Sequence, residues 1–212
     1  MKILNKKIAE SKSSVAWIRR QASDPYVARA HKENYRARAV YKLIEINEKF
    51  KFLRNGQTIV DLGAAPGSWS QYIARGFPKS KILAMDLLEI KPIPNTEFYQ
   101  GDFTTDEALE WLESKCDSGK ADIIMSDMAP NTTGHQKTDH IRQMVLLEYA
   151  FEFAKSALKQ GGTFVAKSFT GGTTNELLKE IKSSFDSVHH MKPPASRKDS
   201  VEMFIIAIGY KG

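Results

Sequence analysis

The stretch Thr58-Ile59-Val60-Asp61-Leu62-Gly63-Ala64-Ala65-Pro66-Gly67-Ser68-Trp69 decides how the rest of the chain is read. It opens with a β-branched apolar run, the pattern of a buried strand. It then breaks into small residues, a proline and two glycines. The segment Trp69-Ser70-Gln71-Tyr72-Ile73-Ala74 follows, with its apolar positions at helical spacing. Strand, glycine-rich turn and helix in that order form the first unit of an α/β sheet. A ligand can approach such a turn closely, because glycine has no Cβ and a helix N-terminus presents unused N–H groups.

Two familiar phosphate-binding turns do not fit. The dinucleotide fingerprint needs G-x-G-x-x-G, and here Ala-Ala-Pro separates Gly63 from Gly67. The P-loop ends in G-K-[ST], and here the residues are Gly67-Ser68-Trp69. What remains, Asp-Leu-Gly-Ala-Ala-Pro-Gly, resembles the first motif of methyltransferases that use S-adenosylmethionine.

The 212 residues suit one large domain with an extension, and an apolar share of 42% supports a sizeable core. The division expected is a flexible basic arm over residues 1–23 and a single domain over 24–212. No apolar run approaches the ~20 residues of a membrane span. The start of the chain turns polar too soon for a secretory signal. Cys116 is the single cysteine, which excludes an intrachain disulfide, and it reads as an inert thiol at the surface or a helix end. A cytoplasmic protein is the simplest expectation. The charge is uneven: residues 1–54 hold 14 Lys or Arg against 5 Asp or Glu, while the remainder is slightly acidic. A basic excess confined to one end points to a polyanionic partner such as a nucleic acid, with Arg19, Arg20, Arg36 and Arg38 as the expected grips on its phosphates.

Taken in order, Asp24-Pro25-Tyr26 begins the structured chain, and Arg36 to Phe52 carries a helical stripe that contains Lys42. Strands are expected at Lys81–Leu87, ending beside Asp86, and at Asn95–Gln100, followed by Asp102 and Phe103. An acid at the end of the second strand suits ribose hydroxyls. An acid and an aromatic after the third suit an adenine. Thr104-Thr105-Asp106-Glu107 has the form of a helix start. A fourth strand runs from Ala121 into Asp127, and Gly134 to His140 reads as a mobile polar loop before a long helix. A fifth strand, Gly161 to Lys167, ends in a lysine. Thr173 to Ile181 reads as a helix and Val188 to Met191 as a short strand. In the last strand, Val201 to Ile208, Glu202 interrupts an otherwise apolar run. The pair His189-His190 has no second ligand cluster, so no metal is expected.

Lys42, Asp127, Lys167 and Glu202, together with the Gly63–Gly67 turn, resemble the Lys-Asp-Lys-Glu tetrad of Rossmann-like RNA 2′-O-methyltransferases. The blocks Arg-Ala-Arg-Ala-Val-Tyr-Lys-Leu, Asp-Leu-Gly-Ala-Ala-Pro-Gly-Ser-Trp-Ser-Gln, Ser-Asp-Met-Ala-Pro-Asn, Phe-Val-Ala-Lys and Ser-Arg-Lys-Asp-Ser-Val-Glu span nearly the whole chain. They look like the FtsJ/RrmJ family, which methylates the ribose of a uridine in the A-loop of 23S ribosomal RNA. One departure is Val201-Glu202-Met203, where many relatives have Ser before the Glu and Tyr after it; the acid is kept.

The resemblance implies a seven-stranded, mostly parallel sheet flanked by helices, with the last strand antiparallel. It implies S-adenosylmethionine as cofactor, contacted by Gly67, Trp69, Asp86, Asp102 and Asp127, with Gly63, Pro66 and Phe103 shaping the pocket. It implies catalysis by Lys42, Asp127, Lys167 and Glu202 without a metal. The implied partner is 23S ribosomal RNA within the large ribosomal subunit, and the implied state is a monomer. Lys167 would engage the 2′-OH, either as a neutral base or as an ammonium that orients the hydroxyl, and the sequence leaves both open. Also open are a tRNA or other RNA substrate, and a non-catalytic RNA-binding assembly factor.

Overall fold

The computed structural model describes residues 23–116, 119–130, 133–171 and 174–212. The expected arm, with Arg19 and Arg20, lies outside them except for Ser23. Two helices come first, α1 (Pro25–Lys32) and α2 (Val40–Phe50). Asp24 caps α1 by accepting from the Tyr26 N–H at 3.0 Å, and Pro25 takes the first helical position, where no N–H is needed. The alternating part follows as β1 (Thr58–Leu62), α3 (Ser68–Gly76), β2 (Lys81–Asp86), β3 (Thr96–Gln100), α4 (Asp106–Lys115) and β4 (Ala121–Ser126). It continues with α5 (Gln136–Ala157), β5 (Leu158–Phe169), α6 (Asn175–Ser184), β6 (Phe185–Met191) and β7 (Glu202–Tyr210).

The strands form one seven-stranded sheet in the order β3-β2-β1-β4-β5-β7-β6. All pairings are parallel except those of β7, which runs antiparallel to both β5 and β6. The sheet is buried on both faces, which is why β1, β2 and β4 read as continuous apolar runs rather than alternating ones. On one face Leu83, Ile124, Phe164 and Ile205 pack under Leu147, Phe151 and Ala154 of α5. On the other, Ile82, Ile123, Val165 and Phe204 pack against Leu43 and Ile46 of α2 and Trp69 and Ile73 of α3. The strand order reverses between β1 and β4, so the crevice beyond their carboxyl ends is where an open sheet of this kind takes its ligand. Among the described residues no helix is long and apolar enough to cross a membrane.

Two expectations need correction. Gly134 to His140 is not one loop: α5 begins at Gln136, and the Asp139 carboxylate accepts from the Thr133 N–H and hydroxyl and the Gly134 N–H, folding the approach onto the first turn. His135 supplies no side-chain cap there, so the helix start carries no recognisable signal in the sequence. Cys116 ends α4, the second of its two expected placements, and is buried. The fifth strand starts at Leu158, ahead of Gly161, because the chain leaves α5 directly into the sheet.

Asp61 joins the sheet to the turn. It sits inside β1, 2% exposed, and one carboxylate oxygen accepts from both the Ser70 N–H (3.1 Å) and the Ser70 hydroxyl (2.7 Å). Ser70 lies in the first turn of α3, whose N-cap Gly67 has no side chain. The strand therefore supplies the cap that the turn cannot. Burial pushes Asp61 up to about 7; the bonds from Ser70 oppose this, and the charges of Asp127 and Asp86 add to it. A carboxylate raised in the folded state stabilises fully below its unfolded value, and that contribution is lost as pH rises to about 7. In Asp61→Asn the amide oxygen keeps both bonds without a charge. The melting temperature of wild type relative to Asp61→Asn should therefore fall as pH rises from about 4 to about 7. Parallel curves would show that Asp61 is not held as the structure describes.

Candidate active site

The Gly63–Gly67 turn closes against β2, with the Gly63 and Ala64 N–H groups both donating to the Met85 carbonyl. Gly63 has a φ of 69°, and a Cβ there would lie 2.2 Å from Met128 Cγ. Only glycine lets the turn after β1 meet the turn after β4. Gly67 (φ 93°) leaves room for Arg36, whose Nη1 would lie 2.7 Å from a Cβ. Pro66, exposed, follows a cis peptide bond. The first-turn N–H groups of Ser68 and Trp69 have no acceptor in the helix ladder. The Trp69 indole is turned inward: it donates to the Ala39 carbonyl at 2.9 Å and packs on Phe204. Only the backbone of Trp69 is left to meet a ligand.

Along the same edge stand carboxylates at the ends of β2, β3 and β4. Asp86 accepts from the Ala65 and Leu88 N–H groups, both at 2.8 Å, and so holds the turn from below. Asp102 is exposed, and its Oδ1 accepts from the Thr104 N–H and hydroxyl. Phe103 is buried, edge-on to Phe153, so its ring belongs to the core beneath the edge. Ionised carboxylates only accept hydrogen bonds, so this row suits hydroxyls, an amine and a cation. A ribose, an adenine amine and a sulfonium are such a set.

Lys42, Asp127, Lys167 and Glu202 meet in one cluster. Lys42 Nζ lies 3.2 Å from Asp127 Oδ1 and 2.8 Å from Glu202 Oε2. Lys167 Nζ lies 2.7 Å from Asp127 Oδ1 and 3.4 Å from Glu202 Oε2, and it donates to the Asp127 carbonyl at 2.7 Å. Lys42, Lys167 and Glu202 are buried. Burial alone would lower the Lys167 pKa, but the charges of Asp127 and Glu202 outweigh it and raise it. Burial alone would raise Glu202; Lys42 and Lys167 bring it down to about 2 instead. Lys167 therefore rests as an ammonium and Glu202 as a carboxylate across the whole neutral range. The two lysines also explain each other's placement, since each shares both carboxylates.

Two supporting residues escape a reading of the sequence. Ser196 donates to Glu202 Oε1 at 2.7 Å, and Gln143, 2% exposed on α5, donates to the Lys167 carbonyl (3.1 Å) and to the Met128 carbonyl (3.3 Å). Ser196 opens the block Ser-Arg-Lys-Asp-Ser-Val-Glu, but nothing there marks it as a partner of Glu202. Gln143 carries no signal at all.

Two of the four arginines expected on RNA can be placed, and both have partners within the protein. Arg36 donates to the carbonyls of Pro66 (3.0 Å), Lys91 (2.8 Å) and Pro92 (2.8 Å), so it ties the glycine turn to the loop before β3. Arg38 pairs with Asp24 at 3.1 Å and donates to the Ala195 carbonyl. Both guanidiniums hold parts of the protein together, Arg36 at the glycine turn and Arg38 between Asp24 and Ala195. Arg19 and Arg20 lie outside the described residues. Among the described residues there is no cluster of three or more candidate metal ligands.

The sheet order, the glycine turn at its switch point and the carboxylate row are those of an S-adenosylmethionine-dependent methyltransferase. Residues 35–210 match the model of the family described as FtsJ-like methyltransferases, and the chain belongs to that family. It is 51% identical over 200 residues to Ribosomal RNA large subunit methyltransferase E of Novosphingobium aromaticivorans, covering 94% of this chain and 90% of that one. It is 52% identical over 205 residues to the protein of the same name from Rickettsia akari, again covering 94% and 90%. Among solved structures, a Plasmodium falciparum protein described as a ribosomal RNA methyltransferase superposes with a TM-score of 0.76 at 34% identity, over 84% of this chain and all of that one. Human Methyltransferase-like protein 13, solved with SAH, shares the fold (TM-score 0.52, 16% identity, 81% of this chain and 79% of that one).

Proposed function

We propose that this protein methylates the ribose 2′-OH of ribosomal RNA, at a uridine in the A-loop of 23S RNA in the large subunit, and that it acts as a monomer. The observation that carries the reading is the largely buried cluster of two lysines and two carboxylates beside the glycine turn. The names of relatives at about half identity support the ribosomal substrate.

S-adenosylmethionine supplies, when bound, a methyl group already activated on a cationic sulfur. Gly67 and the Trp69 backbone would hold it at the turn, Asp86 would accept from its ribose hydroxyls, Asp102 would take its adenine amine and Asp127 would meet its positive charge. Gly63, Pro66 and Phe103 shape the pocket. Lys167, an ammonium in the resting cluster, donates to the 2′-oxygen and aims a lone pair at the methyl carbon. Lys42 and Lys167 together meet the negative charge that develops on that oxygen. The new bond from the 2′-oxygen to the methyl carbon would replace that carbon's bond to the cofactor sulfur, whose electron pair would stay on the sulfur as a neutral thioether, and the hydroxyl proton would pass to water. Glu202 and Asp127 keep both ammonium groups in place, and fixed orientation of the hydroxyl lowers the barrier further.

Removing such a preorganised donor typically costs about 10²–10³ in rate. Lys167→Ala should lose that much single-turnover transfer of labelled methyl to ribosomal RNA at saturating cofactor, with cofactor and RNA affinities nearly intact. Lys167→Arg should not restore it, because a planar guanidinium is not a compact point charge. If Lys167→Ala transfers methyl at close to the wild-type rate, the assignment of Lys167 is wrong.

Residues 1–22, which hold six Lys or Arg and a single acid, are proposed to grip RNA phosphates through Arg19 and Arg20. Replacing both with Gln should reduce the salt dependence of RNA binding by roughly 0.7–0.9 of a logarithmic slope unit for each phosphate no longer neutralised. An unchanged slope would mean that other residues hold the phosphates.

A further inference from the structure

Next to the lysine cluster, at the outer end of β5 and β7, lies a groove of about 770 Å³ that neither the cofactor nor the reacting ribose accounts for. Phe169, Thr170, Val201 and Ile141 line it, with Lys137 and His140 at its basic side. The backbone places it. Side chains two apart on a strand share a face, so Phe169 stands on the face of Lys167, one step nearer the edge. Phe169 pairs directly with Glu202 across the antiparallel ladder, which puts those two side chains on one face as well. The Thr170 N–H donates to the Val201 carbonyl at 2.8 Å, so the groove floor is an extension of the strands that carry the cluster.

The lining is apolar and aromatic, with the His140 ring 6.1 Å from that of Phe169 and tilted by 48°. Ile141 is 60% exposed and Val201 42%, an unusual amount of apolar surface to leave beside a charged site. One acid lines the groove, Asp139, but its carboxylate is taken by the Thr133 and Gly134 groups that fold the loop. The volume falls in the range of about 300–1,000 Å³ typical of small-ligand pockets.

We propose that this groove receives an unstacked nucleobase of the RNA substrate, with Phe169 as the stacking face and Lys137 beside the neighbouring phosphate. The inference rests on the RNA 2′-O-methylation reading. A ribose can reach a buried lysine only if its nucleotide leaves the helical stack, and its base, or the base next to it, then needs an apolar surface. The groove offers that surface at the place where the ribose is held. It also makes Phe169 and Ile141 determinants of substrate choice, acting through base contact rather than through phosphate charge.

The test compares Phe169→Leu, Phe169→Trp and Ile141→Ala with wild type on ribosomal RNA that lacks the modification. It reads RNA affinity, single-turnover methyl transfer and S-adenosylmethionine affinity. Loss of base stacking on an aromatic corresponds to roughly 5- to 150-fold weaker RNA binding. Phe169→Leu should show a loss in that range, Phe169→Trp should bind like wild type, and Ile141→Ala, a change at an exposed position, should weaken RNA binding. All three should keep cofactor affinity. If leucine serves as well as phenylalanine, or if Ile141→Ala is silent, the groove does not hold a base. If wild type itself transfers no methyl to ribosomal RNA, the functional reading fails first and this proposal fails with it.

Discussion

Four charges in one cluster, three of them buried and Asp127 half-buried, constrain everything around them. Taking Lys42, Lys167 and Glu202 out of water is costly unless each finds opposite charge at hydrogen-bond distance. The cluster satisfies this with two cations on two carboxylates, and it draws its members from α2, the end of β4, the end of β5 and the start of β7. A shift of any of these elements would break at least one ion pair of the cluster. The site is therefore a junction of the fold as well as its chemistry. The same pairing raises the pKa of Lys167 and favours its ammonium form in the resting cluster.

A second constraint meets the first at the glycine turn. Gly63 brings that turn against Met128, and Met128 follows directly on Asp127. Arg36 pins the turn from outside, and Asp61 from inside through Ser70. Gln143 then ties the carbonyls of Met128 and Lys167 to α5. Cofactor turn, tetrad and groove are in this way fixed to one another by short contacts, so the methyl, the ribose and an unstacked base would be held in a set relation.

Much of this is legible in the sequence. A strand buried on both faces writes itself as an unbroken apolar run, so β1, β2 and β4 are readable, and a charge that ends such a run, as Asp127 and Lys167 do, stands out. Thr105 and Thr174 mark helix starts because their hydroxyls accept from an N–H three residues on. Other features are hidden for a physical reason: they depend on partners distant in the chain. Arg36 and Arg38 count toward a basic patch, yet a count of arginines says nothing about where their guanidiniums point, and both point at carbonyls within the protein. Ser196 and Gln143 are ordinary residues until the fold sets them beside Glu202 and Lys167. The start of α5 is hidden because the residue before it supplies no side-chain cap, and the approach is folded instead by Asp139, from inside the helix.

Methylation of a ribose oxygen in ribosomal RNA is tested most directly by a map of methylated nucleosides. The RNA is 23S RNA from cells with and without the protein, and the unmodified RNA is then treated with purified protein and S-adenosylmethionine. The prediction is one 2′-O-methyluridine in the A-loop that disappears without the protein and returns on treatment. A methyl group on a base, or an unchanged map, would contradict it.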